Sequence, residues 1–129
     1  MLGPMKRSLV LLAVVAVELP GTSWVLVELD GAEPVGESAP TIAFAADGTV
    51  SGSTGCNTFS GSATIDGSTV EFGPLATTRM ACTEEAAAAQ EQAYLLALDG
   101  VTSYTIDDEG RLVLEGEAPL VFEVAAEGG

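Results

Sequence analysis

Two sets of residues in this chain could do chemistry: a pair of cysteines, Cys56 and Cys82, and nineteen carboxylates. The cysteines lack the Cys-X-X-Cys spacing of a redox motif, so a disulfide is the economical reading, with two buried thiols as the alternative. Closing a loop of about 27 residues would stabilise a fold by roughly 3 kcal/mol, by restricting the unfolded chain. There is no histidine, which excludes Ser-His-Asp, Cys-His and His-metal chemistry by inventory. Carboxylate-only hydrolysis remains, and it would need two acids about 5–10 Å apart across a cleft. On so small a chain most acids must be solvated surface. The expectation is a protein that is not an enzyme and holds neither cofactor nor metal.

Two further side chains are candidates for contact with a ligand or partner. Trp24 reads either as a core plug whose indole N–H finds an acceptor or as an interface residue. Arg79 is the one basic side chain of the central region, suited to anion recognition or to a salt bridge with a neighbouring acid. Four Lys and Arg against nineteen Asp and Glu leave a net charge of −15, which repels a phosphate backbone and argues against nucleic acid as a partner.

These residues must be positioned by one domain, because 129 residues leave too little for a second core. A 47% hydrophobic content exceeds what an acidic disordered chain carries. Residues 1–17 read as a leader: Met5-Lys6-Arg7 precede a short Val- and Leu-rich run, with cleavage expected after Ala16. That run is too brief for a stable membrane span, no cysteine follows it to take a lipid, and an N-terminal strand is the alternative. The domain is then expected over residues 18–126, in a secreted or periplasmic, cell-envelope setting.

From Gly21 onward, short apolar runs alternate with turn dipeptides, the pattern of antiparallel hairpins. Strands are expected at 22–29, 41–44, 49–52, 61–65, 69–72, 101–106, 111–115 and 120–124, with Asp47-Gly48 and Asp66-Gly67 as tight turns. In the first strand, alternation puts Trp24, Leu26 and Glu28 on one face. Residues 83–98 are dense in helix formers, opening at Thr83 as N-cap and closing at Asp99-Gly100. Ala87, Glu91, Tyr94, Leu95 and Leu98 form one stripe, with the leucines and the tyrosine laid on the sheet. The fold class is mainly β (α+β): a curled antiparallel sheet or partial barrel of seven or eight strands packed with a single helix.

Against this background the sequence resembles the META domain family, which includes HslJ-like heat-shock and envelope proteins. Gly21-Thr-Ser-Trp24, Ile42-Ala-Phe44 and Asp47-Gly48 carry the likeness, and it sharpens at Gly52 and Gly55-Cys56-Asn57 with Phe59 and Gly61. It resumes at Leu75, Thr77-Thr78-Arg79-Met80-Ala-Cys82, Glu91, Leu95, Leu98, Tyr104 and Leu112-Val-Leu114. The resemblance implies a partial barrel around one helix, an extracytoplasmic setting, and links to envelope stress or antibiotic tolerance, with no enzymatic activity. Glycines 52, 55 and 61 would serve bends or positive φ, and Asn57 would bond loop backbone or adopt a left-handed conformation. Function is expected to be binding or accessory, by a monomer that holds a protein or an apolar small molecule. A protease-inhibitor-like barrel presenting the loop 32–39 is the alternative, and a carboxylate-only hydrolase a distant one.

Overall fold

A computed structural model describes residues 19–36 and 38–125, and the leader expected over residues 1–17 lies outside them. The strands are β1 (Thr22–Leu29), β2 (Thr41–Phe44), β3 (Thr49–Ser53), β4 (Thr58–Asp66), β5 (Thr69–Phe72), β6 (Ala76–Thr77), β7 (Ser103–Ile106), β8 (Leu112–Glu115) and β9 (Leu120–Val124), and the helix is α1 (Glu85–Asp99). All pair antiparallel in one sheet of order β3-β2-β1-β9-β8-β7-β5-β4-β6, and a further β3–β4 pairing joins the sheet to itself. Eight strands thus form a closed ring, with β6 attached beside it on β4. The seam is thin, since β5 and β7 share a single registered pair, Thr69 opposite Ser103. Two bonds reinforce it, Val70 N–H to Thr102 O at 3.1 Å and Tyr104 N–H to Ser68 O at 2.9 Å. Closure leaves the eight ring strands without a long open edge to recruit a foreign chain.

Alternation works as read along β1 as far as Leu26. In the pairing of β1 with β9, Leu29 faces Leu120 and Glu28 faces Val121, but Phe122 faces Leu26, so Val27 is an extra residue. This β-bulge switches the faces that follow it. Leu29 packs against the core and Glu28 is exposed, the reverse of strict alternation from Trp24. Strand β6 was not expected: two residues are too few to show a period.

The helix begins two residues later than its sequence suggests. Glu84 is the N-cap and makes no side-chain capping bond. Cys82 is held against Cys56, and the chain uses Thr83 and Glu84 to turn from that tie into α1. The buried face of α1 is Tyr94, Ala97 and Leu98. Tyr94 sits at the centre of the core, its ring 6.0 Å from that of Phe59 and 6.4 Å from that of Phe122. Its hydroxyl donates to Thr41 O at 2.8 Å, and burial pushes its pKa above the ordinary tyrosine value. Leu26, Ile42, Val50, Val70, Leu112, Leu114 and Leu120 from six ring strands fill the rest of the interior, each no more than 1% exposed. An interior this full is packed with side chains instead of holding a chamber.

Candidate functional site

The polar residues that the fold gathers lie where the β3–β4 turn, the segment after β6 and the middle of α1 meet. Thr54-Gly55-Cys56-Asn57 makes the turn, closed by Thr54 N–H donating to Asn57 O at 2.8 Å. The Thr54 hydroxyl accepts the Asn57 N–H at 2.9 Å and the Cys56 N–H at 3.3 Å, the local pattern by which threonine orders a turn. Gly55 has φ of +99°, and a Cβ there would meet Ser38 O at 2.9 Å. Both the conformation and the space therefore call for glycine.

Asn57, 3% exposed, uses its whole side chain. Its Oδ1 accepts from the Thr78 hydroxyl and from Met80 N–H, each at 2.8 Å. Its Nδ2 donates to Met80 O at 2.9 Å and to Glu91 Oε2 at 2.8 Å. The two donors at one end and two acceptors at the other fix the orientation of the amide. Thr54, 1% exposed, has one hydroxyl proton and two acceptors in range, Glu91 Oε2 at 2.8 Å and Asn57 O at 3.2 Å. The nearer and charged acceptor takes it. Beside this network the disulfide joins Cys56 to Cys82, with Cα atoms 5.7 Å apart. The turn, the segment 78–82 and α1 are thus clasped by one covalent bond and one amide.

The remaining residues singled out in the sequence are placed as follows. Thr78 also accepts the Thr58 N–H at 3.0 Å, stitching the chain after β6 to β4. Met80 takes part through its backbone alone, and its side chain is 65% exposed. Gly61 lies under the β5–β6 connection, where a Cβ would be 2.7 Å from both Leu75 Cδ2 and Pro74 O. Neither Gly61 nor Gly52 has a positive φ; both permit close approach of neighbouring chain. Asn57 does not adopt a left-handed conformation either. Trp24 is 2% exposed and donates its indole N–H to Thr22 Oγ1 at 2.8 Å, which corrects the reading of Trp24 as a partner contact. Arg79 is exposed in a cleft with Asn57, Met80, Glu91 and Leu95. The ion pairs among the described residues both belong to Arg111, with Asp107 and Glu109, so the salt bridge expected at Arg79 is not formed there.

Two members of the cluster have no role in the sequence reading. Glu91 is there a family position and one place on the helical stripe, yet an acid on an otherwise apolar face was itself the signal that a buried donor set awaited it. Thr54 offered no such signal. A third missed residue, Gln90, pairs with the Val35 backbone, accepting its N–H at 2.8 Å and donating to its O at 3.1 Å. That two-point bond ties the loop between β1 and β2 to α1.

Residues 17–127 match the META domain. This chain belongs to the META domain family. Among solved structures, this META domain is similar to the NMR structure of a protein from Burkholderia xenovorans, at 28% identity and a TM-score of 0.69, over 84% of this chain and 85% of that one. A second NMR structure shares 25% identity at a TM-score of 0.67, over 82% of this chain and 91% of that one. A crystal structure of a DUF4847 family protein from Bacteroides vulgatus shares the fold at 18% identity and a TM-score of 0.61, over 84% of this chain and 96% of that one. No curated protein matches the sequence. Among the described residues of this META domain, no helix is long and apolar enough to cross a membrane.

Proposed function

We propose that this META domain works outside the cytoplasm as a non-enzymatic binding or accessory module, engaging a protein partner through its outer surface in envelope stress or antibiotic tolerance. The observation that carries the reading is the use already made of the clasp. Asn57 and Thr54 spend their hydrogen-bonding capacity on the chain itself and on Glu91. Acid–base catalysis needs a positioned group with a proton to give or take at a substrate, and the buried polar side chains here, Thr54 and Asn57, are committed to holding the fold.

Two further features support the compartment and the kind of partner. A disulfide persists in an oxidising setting and is rare in a reducing one. The filled barrel favours a partner on the outside over an apolar molecule within: of the buried apolar core, only Phe59 lines any of the main clefts. A specific observation keeps the inhibitor-like reading second. Gln90 holds the Val35 backbone at two points while the residue stays 42% exposed, and a loop ordered in advance loses less entropy on docking.

Photo-crosslinking from Gln92, an exposed residue at the Arg79 cleft, in the native envelope tests the first reading. One discrete protein adduct is expected. No adduct from Gln92 or from Val35 would count against a protein partner, and adducts from Val35 alone to secreted proteases would favour the inhibitor. Turnover of a glycoside panel that Glu91→Gln abolishes would overturn the non-enzymatic reading.

A further inference from the structure

Glu91 is engaged through only one of its oxygens. Oε2 accepts from Thr54 and Asn57, whereas Oε1 has no donor among the described residues and lies 3.8 Å from Cys82 Sγ. In the disulfide that sulfur has no proton to donate, so the contact is not a hydrogen bond. Oε1 is thus left outside the network around Asn57, on a side chain that lines an open cleft. Its placement does make sense for the reduced protein, because Cys56, Cys82 and Glu91 bring three potential ligand atoms within 4.8 Å of one another.

We propose that reduction of Cys56–Cys82 opens a divalent-metal site whose ligands are the two thiolates and Glu91 Oε1, with Zn2+ the best-suited ion. Two electrons and two protons pass from a dithiol, which itself becomes a disulfide, to the Cys56–Cys82 bond, and that bond breaks to give two thiols. On metal entry both thiols release their protons to solvent, and two metal–sulfur bonds and one metal–oxygen bond form. A tetrahedral zinc ion holds its sulfurs about 3.8 Å apart. Cysteines with Cα atoms 5.7 Å apart reach that spacing by side-chain rotation.

Charge and surroundings favour the same occupant. Two thiolates beside a carboxylate repel one another strongly, and Arg79 is the one cation lining either adjoining cleft. A divalent ion removes that repulsion, and thiolate ligands select zinc over magnesium or calcium. Cys56 and Cys82 also line a cleft of about 300 Å³ with Glu84 and Gln90, which has room for a water as the fourth ligand.

The test uses the whole protein, reduced by a water-soluble phosphine and kept anaerobic, and titrated with Co2+ and then Zn2+. Expected are a thiolate-to-cobalt charge-transfer band, its loss on Zn2+ addition, and neither in the oxidised protein or with Mg2+. Glu91→Gln should weaken binding by about tenfold or more, and Cys56→Ser should abolish the band. Zn2+ should also raise the melting temperature of the reduced protein and leave that of the oxidised protein unchanged. Absence of the band, a Glu91→Gln variant that binds as tightly as the parent, or a reduced protein that Zn2+ fails to stabilise would each overturn the site.

Discussion

Replacing Asn57 with alanine removes four side-chain hydrogen bonds at once: two from Thr78 and Met80 N–H, and two to Met80 O and Glu91. A neutral bond contributes about 1 kcal/mol net and one to a charged group about 1.5–3 kcal/mol. Met80 is exposed, so water can replace part of what its backbone loses, and the expected cost is about 3–4 kcal/mol. Against a total stability of about 5–15 kcal/mol for a small domain, that is a large fraction. Urea unfolding of the oxidised protein reads it directly, as a lower midpoint at unchanged slope. Asn57→Asp sharpens the case, because it keeps the shape but sets a second carboxylate where Nδ2 now meets Glu91 Oε2 at 2.8 Å. Its loss should be at least as great at neutral pH and should shrink on acidification, as one carboxyl of the pair takes up a proton. An Asn57→Ala midpoint equivalent to a loss below about 1 kcal/mol would refute the view that this amide joins turn, strand and helix.

The other predictions follow from equally local causes. Reducing the disulfide should cost about 3–4 kcal/mol, estimated from a sequence separation of 26 residues, seen as a fall in melting temperature with a phosphine in place of buffer. Gly52→Ala should destabilise by about 1–3 kcal/mol, since its Cβ would clash with Thr41 O and lie 2.8 Å from Phe59 Cζ; an unchanged melting curve would mean that β2 and β3 are not so closely apposed. Bonds from the Arg111 backbone and guanidinium hold the Asp107 carboxyl below its ordinary pKa, and the Thr49 backbone and hydroxyl do the same for Asp47. Because the folded values are depressed, this stabilisation is present above the unfolded carboxylate pKa and is lost as pH falls through the folded ones. Carbon-detected NMR titration should find both groups below the usual aspartate range, with Asp107 rising in Arg111→Ala. Gln90→Ala should raise amide exchange at Val35 while leaving the core strands protected.

Much of the barrel could be read from the chain because its strands announce themselves twice, by alternation and by turn chemistry. Asp47-Gly48 and Asp66-Gly67 bound runs whose inward residues are the buried ones. The bulge at Val27 could not be read this way: it exists only in the register against Phe122, a partner nearly a hundred residues away. Strand β6 owes its two residues to β4 and has no pattern of its own. At the site, the cysteines, Asn57 and Thr78 could be marked as a family pattern, but how they join was hidden. The network depends on the Met80 backbone, which no side-chain type reports, and on an acid that helical periodicity filed with the apolar stripe. Trp24 as a partner contact misled for the complementary reason, since a residue's type tells what it can do and burial decides whether it is offered to a partner.

The claim beneath the rest is that the clasp is covalently closed where the protein works. Alkylation of unreduced protein taken from its native host, followed by peptide mass spectrometry, tests it most directly. A single cross-linked peptide pair containing Cys56 and Cys82, neither of them alkylated, is expected. Recovery of both residues as alkylated, unlinked thiols would contradict it, and the extracytoplasmic setting proposed here would fall with it.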